Sequence, residues 1–298
     1  MSRSHPLFSV IVPTYERRSQ LSVCLRAMAA QDYPRESFEV IVVDDGSEIP
    51  PHREVEPFRG QLNVRLLTQN HSGPAAARNR GAAQAGGEFL VFTDDDCAPR
   101  PNWLRVLAVS FDTFPDCALG GQTINGLPDN PYATASQLVI NYFFNHANAN
   151  APRAKFLASN NLAFPAQAFR AIGGFDGAWR RAAGEDRELC DRWMASGYRM
   201  IYVPGAIVEH FPLLTWRSFC RQHFNYGRGA LYFRRERAKR NGGFVTLEPL
   251  SFYLGILRFP FSQAQGAWAL LLATLMLVSQ TAQVAGFLWE GARGSRCD

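Results

Sequence analysis

Residues 89–93, Phe-Leu-Val-Phe-Thr, follow Gly86-Gly87 and run directly into Asp94, Asp95 and Asp96. A short apolar run rich in strand formers and bounded by a turn signal reads as a buried strand. Three adjacent carboxylates repel one another and resist burial unless a cation or hydrogen-bond donors compensate them. Open α/β sheets bind ligands at the carboxyl ends of their strands, and there the natural compensator is a divalent metal. The bland alternative is a solvated loop whose aspartates cap a helix near Pro101.

The surrounding chain repeats this grammar. Residues 8–12 and 38–43 read as strands, the first closed by Pro13 and the second ending in Asp44-Asp45-Gly46-Ser47, and 64–67 reads as a third. Helices are expected over 18–30 and over 74–85, the latter with Pro74 in its first turn and Gly86-Gly87 after its end. Strands alternating with helices predict a mostly parallel, doubly wound sheet with helices on both faces. Beyond it come a helix over 103–114, a strand over 118–124, a strand over 156–164 containing Asn160-Asn161, and helices over 165–172 and 185–196. Two short strands, 200–203 and 206–208, bring the core fold to an expected end near Phe211. The aromatic and asparagine-rich segment 131–150 reads either as a substrate-facing loop or as a short helix, and its aromatic residues fit a core better than a site.

Composition narrows the class. In 298 residues, 47% hydrophobic content supports one large core, or one domain with an appendage, and excludes disorder as the main state. Six widely spaced cysteines without a CxxC pair signal neither a zinc site nor a disulfide framework and fit a reducing cytosol. No apolar h-region precedes residue 8, so no secretory signal is expected. Neither GxGxxG nor a Walker loop occurs, which leaves dinucleotide and ATP sites of those kinds unsupported.

The ordered motifs are more specific than any one of them. Pro13-Thr14-Tyr15-Glu16, Val43-Asp44-Asp45-Gly46-Ser47, Gly73 to Gly81 with Ala77-Arg78-Asn79, Thr93-Asp94-Asp95-Asp96, Gly173-Gly174-Phe175-Asp176, Gly184-Glu185-Asp186 and Val208-Glu209-His210 resemble those of family 2 glycosyltransferases over residues 7–211. The resemblance implies a GT-A fold, in which a Rossmann-like nucleotide-binding half and an acceptor half share one sheet. It further implies an inverting, metal-dependent transferase that uses a nucleotide-diphosphate sugar, with UDP the foremost carrier, and builds a bacterial cell-surface glycan. Carried over residue by residue, Pro13, Thr14, Glu16 and Asp45 line the nucleoside pocket, and Arg78 lies near that pocket or the phosphates. Asp94 and Asp96 match the metal-binding Asp-x-Asp for Mg²⁺ or Mn²⁺, and Asp95 falls nearer the sugar or ribose. His210 either completes the metal or pyrophosphate site or is a satisfied structural histidine. Asp186 matches the catalytic base, which must take the acceptor hydroxyl's proton as it attacks, and Glu185 is a second candidate that could orient the acceptor. Without the other motifs, both acids would read as helix N-terminal residues.

Two C-terminal stretches carry a different message. Between Trp216 and Arg240 eight basic residues meet only Glu236, and an aromatic stripe runs among them. Such a helix either lies on an anionic membrane surface or packs on the domain; no nucleic-acid partner is expected, because no recognised module accompanies the charge. No charged residue occurs between Arg258 and Glu290, and 266–289 is long enough to span a bilayer; a spanning helix is favoured over an interfacial or buried hairpin, although Thr274, Ser279, Gln280, Thr281 and Gln283 weaken it. The expected organisation is a catalytic domain over 1–211, a basic segment over 212–262 and an apolar helix with a short tail over 263–298. The basic residues place the catalytic domain at the cytoplasmic face of a bacterial inner membrane, where a lipid-linked or glycan acceptor is convenient. Two rival functions fit less well. A sugar nucleotidyltransferase should carry a Gly-rich triphosphate loop, and 13–18 has no glycine; a catalytically inactive nucleotide-sugar sensor sits poorly with intact Asp94, Asp96 and Asp186.

Overall fold

A computed structural model describes residues 7–148, 154–178, 183–243 and 248–293. Residues 1–6, Asn150, Cys297 and the rest of the tail beyond 293 lie outside the described residues, together with the expectations placed on them. The chain forms two compact units, each discontinuous in sequence. One comprises Met1–Ile124, Asn150–Ala182 and Leu189–His210; the other comprises Asn125–Ala149, Ala183–Glu188 and Phe211–Asp298.

The first unit is built on an eight-stranded sheet. Its strands are β1 (Phe8–Thr14), β2 (Phe38–Asp44), β3 (Val64–Thr68), β4 (Phe89–Phe92), β5 (Cys97–Pro99), β6 (Ala118–Asn125), β7 (Leu162–Pro165) and β8 (Met200–His210), in the order β3-β2-β1-β4-β7-β6-β8-β5. Strands β1 to β4 pair in parallel, as strand–helix alternation predicts. From β4 to β7, β7 to β6 and β8 to β5 the pairs are antiparallel, so the sheet is mixed. Every residue of β1 and β2 is buried, because helices cover both faces of a central parallel strand. Phe8, Val10 and Val12 pack with Leu21, Cys24, Leu25 and Met28 of α1 (Arg18–Ala29), and with Trp103, Leu104 and Leu107 of the helix over Trp103–Thr113. Ile41 and Val43 meet Ala77 of the helix over Pro74–Gln84 on the opposite face. Numbered in order, the short His52–Val55 is α2, Pro74–Gln84 is α3, Trp103–Thr113 is α4, Pro131–Ala147 is α5, Ala166–Ala171 is α6 and Glu185–Ala195 is α7.

Three expectations change. The predicted strand over 156–164 shortens to β7, preceded by a 3₁₀ turn at Ser159–Asn161, because Asn161 is spent on cross-links. Its amide donates to the carbonyls of Gln122 (3.1 Å) and Ala206 (2.9 Å), and its oxygen accepts from Trp103 Nε1 at 2.9 Å. The two strands expected at 200–208 are one, β8, which runs through Pro204-Gly205 and pairs with β5 only over Val208, Glu209 and His210. Strand β5 is only three residues long, too short for any periodic signal, yet it sets Cys97 opposite His210.

The second unit is helical: α5, then α8 (Trp216–Asn241), α9 (Leu250–Arg258), α10 (Pro260–Gln263) and α11 (Gly266–Ala292). The segment read as a loop or short helix is the 17-residue α5. Asn130 caps it, its side chain accepting from the Tyr132 and Ala133 N–H groups at 3.0 Å each, and Pro131 at the first position lacks only an N–H that would have gone unused. Thr215 and Ser218 cap α8 reciprocally, and Gly242 ends it in the left-handed conformation. Ala135, Leu138, Val139, Phe219, Phe252, Ile256, Leu272, Leu275 and Met276 form the shared core, which confirms a packing role for this aromatic segment.

Candidate active site

Because β1, β2 and β4 run parallel, their carboxyl ends open on one edge of the sheet and bring Thr14, Asp44, Asp45 and Asp94 to Asp96 to it. Thr14 Oγ1 donates to Asp95 Oδ2 at 2.7 Å. The Arg17 guanidinium, on the loop between β1 and α1, reaches Asp95 Oδ1 at 3.3 Å and Asp96 Oδ2 at 3.0 Å. His210 Nε2 lies 3.3 Å from Asp96 Oδ1, a distance set by the β5–β8 ladder. Arg78 of α3 donates to Asp94 Oδ1 at 2.6 Å with its guanidinium 5.4 Å above the Phe175 ring. Asn79 fixes that ring by accepting from Phe175 N and donating to Phe175 O. The Gly173-Gly174-Phe175-Asp176 motif therefore orients a residue that contacts the aspartate cluster.

The electrostatics sort the three acids. Burial, reinforced by the charges of Asp96 and Asp94, pushes the Asp95 carboxyl up to about 7 against the pull of Arg17 and Thr14. Burial also opposes the charge on Asp96, but His210 and Arg17 more than offset it and hold that carboxyl at about 2. His210 is raised: burial disfavours its charge, and Asp96 outweighs burial. Asp94 is the most open of the three, with 28% of its side chain exposed against 4% and 9% for Asp95 and Asp96.

A second cluster sits at the end of β2. Asp45 Oδ1 accepts from Gln69 Nε2 (2.6 Å) and the Ser72 N–H (2.9 Å), Oδ2 accepts from the Gly73 N–H (2.8 Å), and His71 Nδ1 lies 3.0 Å from Oδ2. Asp45 thus organises the loop that enters α3. The His71 ring stacks on Tyr15 at 4.3 Å between centroids, which makes a part-exposed aromatic step beside that carboxylate. Glu16, with φ at 56°, accepts from the Glu48 N–H at 2.6 Å and donates its own N–H to Ser47 Oγ at 2.9 Å, so the β1 and β2 loops are tied together. Pro13 is buried within β1. Gln69, His71, Tyr15 and Arg17 were not among the sequence candidates. Arg17 alone left a usable sign, as a cation in the loop directly after a strand end that faces carboxylates.

Glu185 and Asp186 belong to the second unit, at the first turn of α7. Glu185 Oε2 accepts from the Ala183 N–H at 2.9 Å, and Asp186 Oδ1 accepts from the Arg187 N–H at 2.8 Å. Arg187 stands over the Phe143 and Phe233 rings at 5.5 and 4.7 Å. Burial, then Arg234, disfavour its charge and lower its pKa, while Asp186 supports the charge.

The donor chemistry at the β4 end fits a hard divalent cation. Ligand atoms of Asp96, Cys97 and His210 lie within 4.8 Å of one another. Cys97, however, packs in the apolar core, and burial raises its thiol well above the ordinary value, so it is a poor thiolate. Carboxylate oxygens from Asp94 and Asp96 with the His210 imidazole suit Mg²⁺ or Mn²⁺.

Comparison with known proteins follows this geometry. A family model described as "Glycosyl transferase family 2" matches residues 9–173. The pre-mycofactocin glycosyltransferase of Mycobacterium tuberculosis (strain ATCC 25618 / H37Rv) is 31% identical over 234 residues, covering 76% of this chain and 47% of its own length, so the chain spans about half of that relative. Among solved structures, the mannosyltransferase PcManGT from Pyrobaculum calidifontis in complex with GDP-Man and Mn²⁺ aligns with a TM-score of 0.67 at 20% identity over 99% of this chain and 89% of its own. S. aureus TarS 1–349 in complex with UDP-GlcNAc aligns at 0.55 and 19% identity over 96% and 91%. At these identities the two structures speak for the fold.

Proposed function

The chain belongs to glycosyl transferase family 2 and is a glycosyltransferase of GT-A fold; from that premise we propose that it is an inverting, metal-dependent enzyme moving a sugar from a nucleotide-diphosphate donor to a hydroxyl of a cell-surface glycan or a lipid-linked acceptor. The carboxylate cluster at the β4 end carries the reading: Asp94 and Asp96 share an edge with Thr14 and Asp45, and His210 closes on Asp96. Thr14, Glu16 and Asp45, with Pro13 behind them, border the nucleoside, and the Tyr15–His71 step offers a stacking surface for a base. Arg78 and Arg17 carry the positive charge that a diphosphate needs. Asp94, Asp96 and His210 would hold Mg²⁺ or Mn²⁺, whose chemistry when bound is to neutralise charge on the departing diphosphate. Asp95, hydrogen-bonded to Thr14, faces the sugar or ribose.

By its place in Gly184-Glu185-Asp186, Asp186 takes the acceptor hydroxyl's proton, while Glu185 orients the acceptor. Attack opposite the diphosphate breaks the anomeric C–O bond as the new one forms, which inverts that carbon. UDP is the foremost carrier, and TarS with UDP-GlcNAc supports it; PcManGT with GDP-Man and Mn²⁺ supports a divalent ion and keeps GDP in the test. The C-terminal region attaches the enzyme to the cytoplasmic face of the membrane, supported by a 27-residue helix, Gly266–Ala292, long and apolar enough to cross one.

The test is calorimetry of the full chain with UDP, GDP and dTDP, with and without Mn²⁺, on wild type and Asp96→Ala. The expected outcome is Mn²⁺-dependent binding of one nucleotide that the substitution abolishes and EDTA reverses. Absence of binding to all three would overturn the reading.

A further inference from the structure

Resting on the membrane attachment just proposed, we propose that α11 lies in the plane of an anionic bilayer, its outward apolar face in the acyl boundary, and does not cross it. The helix is apolar on both sides, yet only one side is covered. Leu272, Leu275, Met276 and Ser279 are buried in the second unit, whereas Leu270, Leu277, Val284 and Leu288 stand 52–64% exposed. These four recur at intervals of seven, seven and four residues, which is one continuous stripe along the helix. A stripe of this length on a water-facing surface exceeds the scattered apolar exposure of ordinary soluble domains.

Charge points to lipid as the occupant. No acid or base interrupts residues 259–289; Arg258 precedes the stretch, Glu290 ends it neutralised by Arg228, and Arg293 follows, stacked over Trp289 at 4.6 Å. Arg217 and Arg221 of α8 are exposed in the same unit. An apolar face edged by cations and by Trp268 and Trp289, which are 38% and 48% exposed, suits acyl chains beneath anionic headgroups.

What forbids crossing is the tie to α8. The two helices run parallel in register: His223 Nδ1 and Ser279 Oγ are 2.9 Å apart, and Arg228 pairs with Glu290. A Cβ on Gly227 would fall 1.9 Å from the Gln283 carbonyl oxygen, and one on Gly286 would fall 1.9 Å from that of Phe224, so the backbones touch through glycine at both places. Inserting α11 across a bilayer therefore either strips it from α8, exposing His223 and Ser279 unpaired, or carries α8 in with it. Between 221 and 240 α8 holds Arg221, Arg228, Arg234, Arg235, Arg237, Lys239 and Arg240. Several such charges in hydrocarbon outweigh the gain from one apolar stripe. Lying flat keeps every α8 contact and still covers the stripe.

Two measurements on the full chain test this. The first is flotation with phosphatidylglycerol–phosphatidylcholine vesicles and with pure phosphatidylcholine vesicles. Flotation on the anionic vesicles, weakening with salt and falling roughly tenfold or more in Leu277→Glu/Val284→Glu while nucleotide binding by calorimetry is unchanged, is expected. No flotation, or a dimer that buries the stripe instead, would overturn the membrane reading itself. The second is protease access to a C-terminal tag in bacterial cells. A tag protected in spheroplasts and cleaved in inverted vesicles is expected. Cleavage in spheroplasts, with flotation intact, would overturn only the in-plane placement.

Discussion

Three consecutive aspartates, two of them buried, are tolerated because each is compensated: Asp94 by Arg78, Asp95 by Thr14 and Arg17, and Asp96 by His210 and Arg17. Arg17 holds a position that a divalent cation would contest electrostatically. Like charges repel through the shared carboxylate, although the half-exposed guanidinium is partly screened. Arg17→Ala should therefore tighten Mn²⁺ binding to the nucleotide-free protein several-fold, read by calorimetry; weaker binding would show Arg17 to be part of the cradle. Asp186 is a separate matter. If it accepts the acceptor proton, Asp186→Asn should lower kcat by about 10² to 10⁴ with donor affinity unchanged. Equal loss of donor binding would assign it a structural role. At this scale Asp44, Asp45 and Asp94 to Asp96 were legible in the strand-end pattern, and Thr14 only through the family resemblance. Gln69 and His71 were not, because a lone amide or imidazole in a loop acquires meaning only from what the fold sets beside it.

Elements were read best where they are long. In the β1-to-β4 half the four strands, α1 and α3 lie within two residues of their sequence-based bounds, since buried parallel strands and long helices leave strong local signals, whereas the four-residue α2 was not read at all. β5 was missed and β7 was read too long, because tertiary pairing sets both. Asn161 shows why: its three hydrogen bonds join β6, β8 and α4, and none of them is local. Asn161→Ala should strand the Trp103 indole N–H and the Ala206 carbonyl in a buried place, at about 1–3 kcal/mol for each unsatisfied group, while the Gln122 carbonyl is part-exposed. A thermal melt should show a drop of several degrees, and an unchanged midpoint would mean that water replaces the amide. The α8–α11 pair offers a pH test. His223 is fully buried against Ser279, and burial lowers its pKa to about 3. The unfolded chain binds that proton near pH 6.5 and the folded chain does so only near 3, so stability is complete above 6.5 and is lost progressively as pH falls toward 3. The integrated loss is on the order of 5 kcal/mol. His223→Phe should flatten that acid limb.

The molecule as a whole consists of two compact units, and the acid-sensitive histidine belongs to one of them. Two-state behaviour is not expected of such a chain. Hydrogen exchange on lowering pH should therefore accelerate together in α8 and α11 before β1 and β2 lose protection; simultaneous exchange throughout would show the units to be one cooperative body. By itself the sequence determined the strand–helix alternation, the family's ordered motifs, the acidic strand end and an uncharged C-terminal stretch, because periodicity, turn chemistry and charge are local properties. Only the tertiary structure decided that His210 closes on Asp96, that segments far apart in sequence share each unit, and that α11 is covered on one side alone. Those outcomes depend on which distant surfaces meet, and no window of neighbouring residues encodes them.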